Sequence, residues 1–347
     1  MNKFIQLHIL TSYPPANLNR DDLGRPKTAK MGGVDRLRVS SQSLKRAWRT
    51  SDLMKNALGG DIGQRTKRIG AQAYKKLIAG GIGEKNATEW AGLIAKVFGA
   101  NKKDNPLETE QLAHVSPAEL EQVDQLAATL IRENRKPETD DLKLLQQKTG
   151  AIDIALFGRM LASSPVYNVE AACQVAHALS VHPVVIEDDY FTAVDDLNNN
   201  ENDAGAGHIG EAGFAAGLFY LYICLDKSLL VENLDGDTEL ANKTIKSLIE
   251  AAVKVGPTGK QNSFASRAYA TYMLGEVGNQ QPRSLSVSYL KPVMGQDQGK
   301  SAIKALNDHR DQQKTVYGES CDAQAVINTL PGEETCSLEE FIATMCE

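Results

Sequence analysis

Apolar and polar positions alternate at the start of the chain. In residues 3–12, K-F-I-Q-L-H-I-L-T-S, the apolar positions Phe4 (or Ile5), Leu7, Ile9 and Leu10 read as a strand. From Tyr13 to Asp35 no period persists. Pro14, Pro15, Gly24, Pro26, Gly32 and Gly33 punctuate this stretch, which reads as a long loop of the kind that is usually functional. A short strand pattern, Arg36-Leu37-Arg38-Val39, runs into Ser40-Ser41. Helical spacing then begins: Leu44, Ala47, Trp48 and Ser51 fall at i, i+3, i+4 and i+7 of one buried face. This predicts a helix over about 41–58, capped by Ser40 or Ser41 and stopped at Gly59-Gly60.

Residues 61–181 read as almost entirely helical. Segments 61–79, 85–99, 117–134, 138–148, 151–162 and 168–181 are separated by Gly80-Gly81, Asn105-Pro106, Pro137, Gly150 and Pro165. Ser116-Pro117-Ala118-Glu119 combines a capping box with proline at the first helical position. Strand patterns return at 182–192 and at 214–225, on either side of a polar, glycine-rich stretch over 195–213. An amphipathic helix follows at 238–255, with Ala241, Ile245, Leu248, Ile249, Ala252 and Val253 in its stripe, then a strand at 270–277. Helices at 297–317 and 337–346 close the chain. With 61–181 set aside, the order is β, α, β, β, α, β. That order predicts an α+β fold: a ferredoxin-like split βαβ core, also used by RNA-recognition domains, formed by 1–60 and 182–347. Residues 61–181 would be a helical insertion, and 195–213 a long protruding hairpin loop.

Charge changes the picture. The net charge of −6 argues against a nucleic-acid partner, but it is unevenly spread. Residues 1–76 carry 16 basic and 5 acidic side chains, and the remainder carry 22 and 39. An acidic body with one concentrated basic region suits a protein that grips a polyanion at a defined place; it also suits a protein that self-associates, basic end to acidic body. The basic region peaks at Arg36–Arg49, where Arg36, Arg38, Lys45, Arg46 and Arg49 occur without an acid. Lys45 and Arg49 are four apart and share a helix face away from Trp48. A solvated basic face and an anion site at the helix start both fit this stretch. The length of 347 residues allows about two domains. No apolar run reaches the ~18 residues of a membrane span, and the N-terminus lacks the pattern of a signal peptide. The five cysteines are odd in number and scattered, without C-x-x-C, which points to reduced thiols in the cytoplasm.

Several longer motifs carry a resemblance. L-N-R-D-D (18–22) is followed by Lys27 and Gly32-Gly33, then by R-V-S-S-Q-S-L-K-R-A-W-R (38–49). D-I-A-L-F-G-R-M (153–160), V-A-H-A-L-S (175–180), F-T-A-V-D-D-L (191–197), G-H-I-G (207–210), F-A-A-G-L-F-Y-L-Y (214–222) and P-T-G-K-Q-N (257–262) follow. In this order they resemble the CasC-type backbone subunits of Cascade, the type I-E CRISPR RNA-guided surveillance complex, over roughly residues 1–265. The last third matches more loosely, and Trp48 stands where that family often has a smaller apolar residue.

The resemblance implies a non-catalytic subunit without cofactor or metal. Copies would polymerise side by side along the spacer of a CRISPR RNA guide, kink it at intervals and present it for pairing with target DNA in antiviral defence, alongside other Cascade subunits. It implies a right-hand shape: an RNA-recognition-like palm, helical fingers over 61–181 and a thumb over about 195–213. By the same resemblance Arg20, Lys27, Arg38, Ser40, Gln42, Lys45, Arg46 and Arg49 lie along the guide backbone, with Lys260 and Gln261 nearby. Asp196, Leu197, Gly207, His208, Ile209, Gly210 and Phe214 belong to the thumb or its contact with a neighbouring copy.

Other patterns compete. Gly205-x-Gly207-x-x-Gly210 is a literal G-x-G-x-x-G, but a strand pattern follows it where a dinucleotide site needs a helix. Asp188-Asp189 and Asp195-Asp196 could suggest a metal, or simply solvated carboxylates. His177 reads as a core or interface residue on an apolar helix. An enzyme is the alternative function: related subunits of type III complexes cut target RNA with a carboxylate in the region of Asp35. The plainer reading makes Asp35 a salt partner of Arg36 or Arg38. A purely protein-binding scaffold is the third class.

Overall fold

The computed structural model describes residues 3–193 and 208–347. The chain forms two compact units: one from 1–51, 175–224 and 246–347, the other from 52–174 and 225–245. The strands in chain order are β1 (Phe4–Ala16), β2 (Thr28–Met31), β3 (Val34–Val39), β4 (Gln64–Thr66), β5 (Ala113–Val115), β6 (Cys173–Val175), β7 (Ala178–Ser180), β8 (Glu187–Ala193), β9 (His208–Asp226), β10 (Tyr272–Gly278) and β11 (Ala323–Asn328). The α-helices are α1 (Ser41–Arg49), α2 (Asp52–Leu58), α3 (Ile69–Ala79), α4 (Glu84–Phe98), α5 (Pro117–Glu133), α6 (Ile152–Phe157), α7 (Lys227–Asn233), α8 (Thr238–Lys254), α9 (Gln261–Phe264), α10 (Gln298–Tyr317) and α11 (Leu338–Cys346). No helix among the described residues is long and apolar enough to cross a membrane.

The first unit is built on a mainly antiparallel sheet ordered β11-β10-β1-β9-β7-β3-β2, with β8 also pairing on β9. Strand β1 is central and buried on both faces. Its Gln6, His8 and Leu10 pair in register with Glu276, Leu274 and Tyr272, and all six face the segment 285–293 and α10. The opposite face of β10 meets α11, where Gly275 leaves room for the Phe341 ring. Two polar residues inside β1 meet polar side chains of the core. Gln6 Oε1 accepts from the Tyr222 hydroxyl at 2.9 Å and the Arg283 N–H at 2.8 Å. His8 Nδ1 lies 2.9 Å from the Tyr220 hydroxyl, and its other nitrogen lies 3.4 Å from the Glu276 carboxylate. Burial opposes ionisation of Glu276, but hydrogen bonds from His8 and Arg283 win and bring its pKa down to about 2.

The second unit packs α3, α4 and α5 around Leu77, Trp90, Ile94, Leu126 and Leu130. The predicted capping box at Ser116 is present, and it does more than cap. Glu119 is wholly buried and receives both bonds from Arg159 Nη1 at 2.8 Å. It also accepts from the Gln146 N–H at 2.9 Å, while Arg159 Nη2 donates to the Gln146 carbonyl at 2.7 Å. Asp153 is the second pin: its carboxylate takes His114 at 2.7 Å and the Gly63 N–H at 2.8 Å.

This network explains where the helical reading of 134–181 departs from the structure. Residues 138–148 form no helix, because Glu119 and Arg159 take the Gln146 backbone groups that a helix would use internally. The helix expected over 151–162 ends at Phe157, since Gly158 adopts φ +78° and Arg159 exchanges backbone bonds with Val169. The expected helix 168–181 is replaced by the short strands β6 and β7. The predicted first helix is two: Thr50 Oγ1 and Ser51 Oγ bond back to the Arg46 and Trp48 carbonyls, and the chain breaks between α1 and α2 there. Strands β2 and β11 carried too little apolar alternation to be read in the sequence, whereas β3 contains the predicted Arg36–Val39 strand.

Removing one partner of a buried ion pair strands the other charge. Glu119→Ala is therefore expected to cost about 3–5 kcal/mol, seen as a lower urea midpoint; a loss under about 1 kcal/mol would show that the pair does not hold the second unit together.

Candidate nucleic-acid interface

The stretch Asn17–Lys27 is ordered by its own short side chains. Asn17 is buried and donates from Nδ2 to the Gly24 and Gly213 carbonyls, both at 2.9 Å. Asp21 Oδ1 accepts from the Leu23 and Arg25 N–H groups. The Lys27 N–H donates to the Asn19 carbonyl, and the Arg38 N–H to the Lys27 carbonyl, each at 2.8 Å. The Ser40 N–H donates to Asn19 Oδ1 at 2.8 Å. A loop that sequence punctuation left open is thus braced against the end of β3 and the start of α1. Gly32 and Gly33, at φ +62° and +81°, close the β2–β3 hairpin with the two positive angles that a tight turn needs.

Ser40 is the N-cap of α1: its Oγ accepts from the Ser43 N–H. The first turn carries no acid and the last turn carries Arg46 and Arg49. The Ser41 N–H meets His177 Nδ1 at 3.3 Å, and Arg38 Nη1 lies 3.5 Å from the same atom. His177 is exposed and sits between β6 and β7, in place of the apolar helix expected around it. Partial burial of the ring first, then the Arg38 and Lys27 cations, hold its pKa below the ordinary value. The neutral ring is what its Nδ1 needs to accept. Sequence reasoning missed this residue, because no local pattern ties position 177 to position 41.

The remaining expected residues fall in three groups. Arg20, Gln42 and Arg46 are exposed; Lys27, Arg38 and Lys45 are half-buried. Ser40 supplies its hydroxyl and backbone at the helix start. Lys260 and Gln261 flank the same loop: a Cβ on Gly259 would lie 2.3 Å from the Leu18 carbonyl, so 257–261 packs on the chain just after β1. Gln261 Nε2 donates to the Pro257 carbonyl and Ser266 Oγ, both at 3.1 Å. Arg49 departs from the expected exposed flank. It is buried, so it does not share an open face with Lys45. Arg36 departs further: it is fully buried, and its guanidinium donates to the carbonyls of Met31, Ser180 and Tyr289. It is spent on the fold, and it is not the partner of Asp35, which lies exposed in β3 opposite Lys30.

At the other end of the site β8 and β9 pair from Glu187–Phe214 to Ala193–His208. Asp196, Leu197 and Gly207 lie outside the described residues. Gly210 and Phe214 lie in β9; Phe191 covers Gly210, and Phe214 packs on Phe264 at 5.9 Å between ring centres. His208 and Ile209 open that strand. A strand, not a helix, therefore follows the glycine motif. Among the described residues no cluster of His, Cys, Asp and Glu could hold a metal ion.

What the arrangement offers is a set of cations on one braced loop beside the Ser40 and Gln42 side chains at the start of α1, a combination suited to phosphate oxygens. The profile of the CT1975-like protein family matches residues 5–344. The chain belongs to the CT1975-like family. It is similar to a chain of a CRISPR RNA-guided surveillance complex in a pre-nicking form, at 29% identity and a TM-score of 0.85 over 99% of both chains. It is also similar to a chain of a second CRISPR RNA-guided surveillance complex, at 26% identity and a TM-score of 0.65 over 99% of this chain and 98% of that one. No curated protein matches.

In this CT1975-like chain His177 gives a pH-dependent signature. The unfolded ring titrates near 6.5 and the folded ring lower. The stability tied to neutral His177 is therefore present above about pH 6.5 and is lost as pH falls below it. An NMR titration, assigned with His177→Asn, should place the free protein's midpoint below 6.5; a midpoint at or above 6.5 would contradict the crowding by Arg38 and Lys27.

Proposed function

We propose that this CT1975-like chain is a backbone subunit that binds the CRISPR RNA guide of a type I-E surveillance complex. The observation that carries this is the end-to-end similarity to chains of CRISPR RNA-guided surveillance complexes. The braced basic loop supplies the chemistry. Arg20, Lys27, Arg38, Lys45 and Arg46 neutralise guide phosphates, while the Ser40 and Gln42 side chains offer neutral donors. Lys260 and Gln261 extend the track. Such contacts hold backbone and register, and leave sequence reading to base pairing with target DNA.

The first unit serves as the palm. Taking β1, β8, β9 and β10 as first to fourth gives the sheet order fourth-first-third-second, with α1 and α8 as the two crossing helices; this supports the ferredoxin-like reading. The second unit serves as the fingers, and 195–213, built on the β8–β9 ladder, as the thumb that reaches a neighbouring copy. Copies polymerise along the guide beside other subunits of the complex. Five free thiols suit a reducing, cytoplasmic setting. The subunit orders RNA and does not cut it, and Asp35 has no part in chemistry.

Fluorescence anisotropy with single-stranded RNA over a range of KCl tests this. The wild-type chain should bind with a steep salt dependence. Arg20→Ala, Lys27→Ala and Arg46→Ala together should weaken binding and lower the slope of log K against log salt by about 2, the value for three lost phosphates on a single strand. An unchanged slope would remove the loop from the interface. RNA recovered from the same mixtures with magnesium should be intact; cuts that vanish in Asp35→Ala would favour the target-cutting alternative.

A further inference from the structure

One cation of the braced loop is already occupied. Arg25 Nη2 lies 3.0 Å from Asp188 Oδ1, and the two side chains are 44% and 42% exposed, so both remain within reach of a ligand. The pairing is held from the backbone. Asp188 stands opposite Gly213 in the β8–β9 ladder, and Asn17 of the same loop bonds the Gly213 carbonyl. Gly213 also lies close to Pro26: a Cβ there would approach the Pro26 ring at 3.2 Å. Loop and strand are thus locked together next to the ion pair. Asp188 is one of three consecutive exposed acids, Glu187-Asp188-Asp189, at the edge of a basic loop that also carries Arg20 and Lys27. An acid placed there opposes anion binding unless it has a task.

We propose that Asp188 is a selectivity residue: its carboxylate stands in for a nucleic-acid phosphate on Arg25, and an incoming RNA must displace it. This rests on the reading of the loop as the guide-binding site. A guanidinium takes carboxylate and phosphate with the same fork of donors, so one can replace the other without rebuilding the loop. The pair is exposed and therefore weak, so exchange is easy. The exchange nevertheless cancels most of what Arg25 would contribute to binding. A strand that touches only this corner must displace Asp188 for a single phosphate contact and gains almost nothing. A strand that also fills Arg20, Lys27, Arg38 and the start of α1 gains from all of them and displaces Asp188. The pair therefore filters fragmentary contacts against full engagement.

Asp188→Asn keeps the shape and removes the charge. In anisotropy titrations with single-stranded RNA it should tighten binding about three- to tenfold at low salt, and steepen the slope of log K against log salt by about 0.7, one further phosphate on a single strand. Asp189→Asn, which removes the same charge on the opposite face of β8, should change affinity less than twofold. In an Arg25→Gln background Asp188→Asn should have no effect. Weaker binding by Asp188→Asn would make the acid a support for the loop and overturn the proposal. Equal gains from Asp188→Asn and Asp189→Asn, or a gain that survives Arg25→Gln, would reduce it to general repulsion and overturn it too. A wild-type chain that binds no RNA would instead overturn the guide-binding reading itself. Melting curves of the variants should coincide, since both acids are exposed.

Discussion

The hydrogen bond from the Ser40 N–H to Asn19 Oδ1 is the constraint on which the interface depends. It fastens the basic loop to the point where β3 becomes α1. Without it, Arg20 and Lys27 would sit on an unbraced polar loop between β1 and β2, over 17–27, and the entropy of fixing them would fall on each binding event. With it, and with Asn17 and Asp21 bracing the same loop, the cations and the helix start form one prearranged surface. His177 completes the arrangement by holding the Ser41 N–H and the Arg38 guanidinium with a single neutral nitrogen. The polar side chains of this region thus divide between those that face outward and those that keep the backbone still.

The same division runs through the motifs. Asp153 and Arg159, from D-I-A-L-F-G-R-M, pin the second unit through His114, Gly63 and Glu119. Arg36 stabilises the first unit by satisfying three carbonyls where the strands end. These are costly residues to bury, and each is retained with its bonds filled, so losing one partner is destabilising out of proportion to its size. A basic residue in a motif is accordingly not yet a ligand contact. Burial separates Arg36 and Arg49 from Arg20 and Arg46, which stand in solvent.

Periodicity revealed the elements that bury one continuous stripe, such as α1, α5, α8 and α10, and the central strands β1 and β9. The capping boxes at Ser116 with Glu119 and at Ser337 with Glu340 were legible too, since capping is local chemistry. It failed where tertiary bonds outrank local preference. Residues 138–148 have helical spacing, but their backbone groups are taken by Glu119 and Arg159 from elsewhere in the chain. The edge strands β2 and β11 are short and half-exposed, so alternation hardly registers. In the site, the charge of Arg36–Arg49 was legible, while the buried state of Arg36, the role of His177 and the Arg25–Asp188 pair required partners 136 to 253 residues away.

The basic side chains are concentrated in the first part of the chain, and the remainder of the protein is acidic. As a guide-binding backbone subunit it would hold RNA by repeated, sequence-independent contacts, one copy after another. Nuclease footprinting of the protein co-purified with a co-expressed guide tests this most directly. The account predicts recovered RNA with protection that repeats at a regular interval along the spacer. Purification free of RNA, or protection confined to one position whatever the guide length, would contradict it.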